Sequence, residues 1–72
     1  SDHMQEAEQR IKDLHLQTDE LRAEEQRAVR RQLLVAEKDA LLAALRKRYL
    51  SQEVYEELAT DADARLLQLS SH

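Results

Sequence analysis

Apolar or near-apolar residues recur every seven positions along the first two-thirds of the chain: Leu14, Leu21, Ala28, Val35, Leu42 and Tyr49. That period marks a long helix with one stripe turned toward a coiled-coil partner. The companion positions are Ile11, Thr18, Glu25, Gln32, Asp39 and Arg46. Only Ile11 is a good core residue, so half of the seam is polar. Polar seam positions fix register and partner number at a cost in stability. The pattern predicts one long amphipathic helix over residues 5–48.

The stripe widens after residue 28. Val29, Leu33, Leu34, Val35, Leu41, Leu42 and Leu45, with alanines between them, cover well over 100° of the helix. A stripe this wide faces more than one neighbour. Arg46, Lys47 and Arg48 then complement the negative end of the helix dipole. Ser51 is a good N-cap with Glu53 in the following turn, and Leu50 and Tyr55 have the spacing of a hydrophobic staple. These signals place a turn at residues 49–51 and a second helix over 52–69, with a short frayed tail at 70–72. The apolar face of the second helix is Val54, Tyr55, Leu58, Ala59, Ala62, Leu66 and Leu69. With no Gly to end the first helix, a continuous helix through Ser51 is the alternative.

The expected fold is all-α: a long helix and a shorter one folded into a hairpin. Two such hairpins would close their wide faces as a coiled coil or four-helix bundle. The expected dimer and bundle core is Leu14, Leu21, Ala28, Leu34, Val35, Leu41, Leu42, Leu45, Tyr55, Leu58 and Leu66. Parallel and antiparallel dimers, or a tetramer, fit this seam equally well.

Composition narrows the class. The 72 residues include 15 acids and 11 bases, for a net charge of −4, and no Cys, Gly, Pro, Trp or Phe. There is room for one domain at most. Lack of Cys rules out disulfides, zinc knuckles and thiol nucleophiles. Lack of Gly rules out a phosphate-cradling loop. Thirteen Leu and ten Ala, with many Glu, Gln, Lys and Arg, are what long helices are made of. The apolar runs are far too short to span a bilayer. Ser1-Asp2-His3-Met4 reads as a cloning remnant and carries no functional meaning. The chain is then a piece of a longer protein whose other parts hold any activity. With no secretory signal, the expected compartment is the cytoplasm.

Candidate chemistry is thin. His15 and Asp19 share a helix face but lack further ligands for a metal. Glu24-Glu25 and Glu56-Glu57 are adjacent pairs whose members point to different sides of a helix, so no pocket would raise one pKa for acid–base work. Ser51 is explained by capping. No catalytic residue, cofactor, metal or small-molecule substrate is expected. Arg46, Lys47 and Arg48, with Arg27, Arg30, Arg31 and Lys38 before them, suit helix packing and dipole compensation first, and contact with a membrane surface or partner second. Nucleic acid is not expected, because the chain is net acidic and has no aromatic stacking platform.

One stretch has a family likeness. The run from Glu37-Lys38-Asp39-Ala40-Leu41-Leu42 through Arg46-Lys47-Arg48-Tyr49-Leu50-Ser51-Gln52-Glu53-Val54-Tyr55 to Asp63-Ala64-Arg65-Leu66 resembles the cytoplasmic C-terminal tail of bacterial sodium/proton antiporters of the monovalent cation:proton family. In those tails a Leu-rich helix ends in a basic stretch. A Gly-Ile-Ser-like turn follows, then Glu-Val and a short helix ending in Asp-x-x-Leu-like residues. Leu50-Ser51 and Glu53-Val54 match the turn and helix start, and Tyr49 stands where the Gly would be. The resemblance implies a homodimerising or regulatory tail on the cytoplasmic face of the inner membrane. Ion transport would then belong to a separate membrane domain of the same protein, which would be this tail's partner. The competing expectation is an adaptor or scaffold coiled coil that binds a different protein through its apolar face.

Overall fold

A computed structural model describes residues 2–70. It contains two helices, α1 (Asp2–Arg46) and α2 (Gln52–Ser70), packed against each other as a hairpin. The molecule is a rod of 70 × 17 × 10 Å, and the 45 residues of α1, at about 1.5 Å each, account for that length. α1 starts at Asp2, so Asp2, His3 and Met4, read as part of a remnant, lie within the helix. At the other end Ser70, expected in the tail, closes α2, its hydroxyl donating to the Leu66 carbonyl at 3.2 Å. The rest of the expected tail, residues 71–72, lies outside the described residues.

The hairpin turn is built without glycine. The Lys47 N–H donates to the Ala43 carbonyl (3.0 Å), that of Arg48 to Leu45 (3.0 Å) and that of Tyr49 to Ala44 (2.9 Å). The last two bonds, spanning three and five residues, form a Schellman cap. Its left-handed position falls on Arg48, with φ of 64°, and not on Tyr49 where the family likeness would place a Gly. A non-glycine residue there costs about 1 kcal/mol, offset by bonds that satisfy otherwise orphaned carbonyls. The chain then restarts at Ser51. The Ser51 Oγ accepts the Val54 N–H at 3.2 Å, and its carbonyl accepts the first α2 bond from Tyr55 at 2.9 Å. The continuous-helix alternative is therefore not what forms.

One row of half-buried positions on α1 falls at Arg27, Arg31, Leu34, Lys38, Leu41 and Leu45, alternately four and three residues apart, with Ala23, Ala28, Leu42 and Ala44 half-buried beside it. Those on α2 fall at Tyr55, Ala59, Leu66 and Leu69, with Ala62 completing the same spacing as the one fully buried residue among those described, at 2% exposure. Small side chains at 59 and 62 let two helix surfaces approach closely. Arg27, Arg31 and Lys38 share this half-buried row, as long basic side chains can by packing their apolar stems while the charged ends stay in water. Lys38 meets Asp63 across the helix pair at 2.5 Å.

α2 covers only the second half of α1. Every residue from Asp2 to Arg22 is exposed, leaving a bare helical arm. The accessible surface is 6404 Å², whereas a compact monomer of 8.4 kDa would have about 4,600 Å².

Candidate interaction surface

The expected core residues divide into two groups. Ala28, Leu34, Leu41, Leu42, Leu45, Tyr55 and Leu66 are half-buried within the hairpin. Leu14, Leu21, Val35 and Leu58 remain exposed, Leu21 at 67% and Val35 at 47%. The split has a geometric cause. The seam that α2 occupies runs through residues 27, 34 and 41, one position before the heptad stripe at 28, 35 and 42. One residue is a rotation of about 100° around a helix, so much of that stripe lies beside the intrachain seam. Its early members, Leu14 and Leu21, lie beyond the reach of α2. Tyr49, last in the heptad series, sits in the turn at 78% exposure.

A second exposed apolar region lies on the opposite flank. Leu33 is 65% exposed, and Val54 and Leu58 are about two-fifths exposed. By helical spacing Val54 and Leu58 share a row of α2 with Arg65. Arg65 and Leu33 both line an open groove of about 600 Å³ between the middle of α1 and the end of α2. Arg27, Arg30, Leu34 and Leu69 complete its apolar and cationic walls, with Gln26 and Gln68 at the edge. Both Leu33 and the arginines were legible as an amphipathic basic segment. That Arg65 joins them at the far end of α2 was not, because it depends on where the turn falls.

The groove's charges are unevenly engaged. Arg27 holds Glu24 at 2.6 Å, and Arg65 holds Asp61 at 3.1 Å. Arg30 has no acidic partner among the described residues. The hydrogen bond and charge of Arg27 hold the Glu24 carboxyl below the usual carboxylate range. The hydrogen bond and charge of Asp63 push the Lys38 ammonium pKa above its ordinary value.

Arg46, Lys47 and Arg48, the candidates for membrane or partner contact, are exposed at the turn end of the rod. They form no ion pair among the described residues. His15 and Asp19 are both exposed on the arm. Among the described residues no three His, Asp or Glu side chains gather as metal ligands would. No described helix is long and apolar enough to cross a membrane. No protein-family model matches the chain, and neither a curated protein nor a solved structure shows significant similarity to it.

Proposed function

We propose that this chain is a non-catalytic oligomerisation module whose hairpins pair to complete a core that one copy leaves open. The observation that carries this reading is the shortage of burial. Ala62 alone is fully buried among the described residues, while Leu14, Leu21, Leu33 and Val35 stand in solvent. The surface exceeds that of a compact monomer by about 1,800 Å². Two copies burying that excess would hide about 3,600 Å², within the range of obligate dimers. On the family likeness of residues 37–66, the module serves as the regulatory cytoplasmic tail of a membrane cation:proton antiporter, and transport takes place in a separate domain.

Sedimentation equilibrium over a concentration series tests the self-association. The expected result is a dimer that holds at low micromolar concentration. Leu42→Asp is expected to abolish it, because the substitution places an unpaired charge in the core. A monomeric, helical wild-type chain would reject the reading and favour the adaptor that awaits a different protein.

A further inference from the structure

The side of α1 that looks away from α2 carries an apolar row of its own. In the arm the row comprises Met4, Ala7, Ile11, Leu14 and Thr18. In the half that α2 covers from the other side it comprises Val29, Leu33, Ala36, Ala40 and Ala43. Arg22 and Glu25 stand between the two sets, and all twelve residues are exposed. At about 100° per residue they fall within about 50° of one line, which lies about 170° from the seam that α2 fills. From Ile11 onward the steps repeat as three, four and four residues. An 11-residue repeat of this kind stays close to the pitch of an uncoiled helix, whereas a strict heptad drifts by about 20° per repeat. The row therefore keeps to one side along the whole of α1, while the heptad residues Leu21 and Val35 slant away along its flank.

Resting on the self-association proposed above, we infer that two copies pair antiparallel through this row, α1 against α1, with the two-fold axis between residues 23 and 24 and α2 on the outside of each. The spacing of the row reads the same from either end: for every position i in it, 47 − i is also in it. A self-complementary antiparallel contact needs that property, because each layer then joins i of one copy to 47 − i of the other. The side chains match across those layers. Met4 and Ile11 meet Ala43 and Ala36, Leu14 meets Leu33, and Thr18 meets Val29, so the bulkier arm fills the narrower half of its partner. The Thr18 hydroxyl already donates to the Leu14 carbonyl at 2.9 Å, so covering it orphans no donor. At the axis Arg22 meets Glu25, beside a shallow depression of about 440 Å³ that both residues line with Val29 and Arg30. On the flanks Asp19 comes beside Arg30, and Arg10 beside Asp39. None of these six charged residues has an ion pair among the described residues of its own chain. The acids of α2 lie on the far side of each α1, outside the contact. A parallel pair would set Arg22 against Arg22, Glu25 against Glu25 and alanine against alanine, and like charges so placed select against it.

Charge reversal at the axis tests the register. Arg22→Glu and Glu25→Arg, each alone, set like charges against each other in the antiparallel layer. Each is expected to raise the dimer Kd about tenfold or more with unchanged helicity. The double variant restores opposite charges and is expected to return Kd to within about threefold of wild type. Single reversals that leave Kd unchanged, or a double variant no tighter than the singles, would overturn the Arg22–Glu25 layer and leave self-association standing. The orientation is measurable with spin labels, because the chain has no cysteine. Gln5→Cys gives one label per copy at an exposed position that points away from the row. Pulsed dipolar spectroscopy of the dimer is expected to read about 55–60 Å, from about 28 Å of helix on either side of the axis. A distance below about 30 Å, as in a parallel pair of helices 8–10 Å apart with the reach of the labels added, would overturn the antiparallel arrangement alone. A dimer with its labels much farther apart would move the axis toward α2 and overturn the register. A monomeric mass with no dipolar signal would reject both the pairing and the self-association beneath it.

Discussion

Residues 2–22 and residues 23–46 are one unbroken helix, yet they behave as two kinds of surface. The later half lies under α2 and repeats half-buried positions every three or four residues; the earlier half has none. Local propensity does not distinguish them, since both are rich in strong helix formers. What differs is the presence of a neighbour. An isolated helix is only marginally stable in water, and most helical stability in proteins comes from packing an amphipathic face. The covered half therefore has a reason to hold its shape alone, whereas the arm depends on its continuity with that half and on whatever covers Ile11, Leu14 and Leu21.

Substitutions should separate the two halves. The largest effect is expected for Ala62→Leu, which overfills the fully buried position of the helix pair. It should destabilise the hairpin by about 2 kcal/mol, seen as lost amide-exchange protection in α2 and residues 27–46. Protection unchanged there would mean that the seam does not run through Ala62. Ser51→Ala removes the cap of α2 and should cost about 1 kcal/mol in thermal unfolding, again within the hairpin. Arg48→Gly acts in the opposite direction. Relief of the left-handed backbone should raise stability by about 0.5–1 kcal/mol, whereas a drop would show that the Arg48 side chain contributes more than its backbone loses. Arg48→Ala, which keeps the Cβ, should not reproduce the gain.

The smallest expected effect concerns the Lys38–Asp63 pair. The folded-state pKa of Lys38 lies above its ordinary value of 10.5. The pair therefore contributes fully at pH values below that, and the contribution is lost as pH rises through the folded pKa. The Tm difference between wild type and Lys38→Gln should be constant across neutral pH and shrink above about pH 10.5. It should be small throughout, because the pair is solvent-exposed and screened. A difference that grows with alkaline pH would contradict the ion pair.

Much of this fold could be read from sequence, and the reasons are local. Ser51 followed by a periodic apolar run announces a helix start wherever it occurs. The basic triplet Arg46-Lys47-Arg48 announces a helix end. The left-handed residue was harder to place, since with no Gly in the chain the cap had to fall on a residue that bears a Cβ, and only the hydrogen-bond pattern singles out Arg48. The heptad stripe through Leu14 and Val35 was the clearest signal, yet the intrachain contact uses the row beside it. That row hides in the sequence because Arg27, Arg31 and Lys38 interrupt Leu34, Leu41 and Leu45, and long basic side chains do not look like seam residues although their apolar stems can pack there. The groove was least legible, because Arg65 reaches it only when the turn sets the register between the helices.

The turn itself has a further consequence. Among the described residues, 47–51 are the only stretch between two helices, and they begin with consecutive basic residues exposed at the tip of the rod. Proteases cut at such tips, where backbone can be drawn into an extended strand, far more readily than within helices. A trypsin-like enzyme should therefore nick after Lys47 or Arg48 first. The tether that keeps α2 at high effective concentration beside α1 would be severed. A hairpin whose pairing is now insensitive to dilution would become two peptides whose association falls as the solution is thinned.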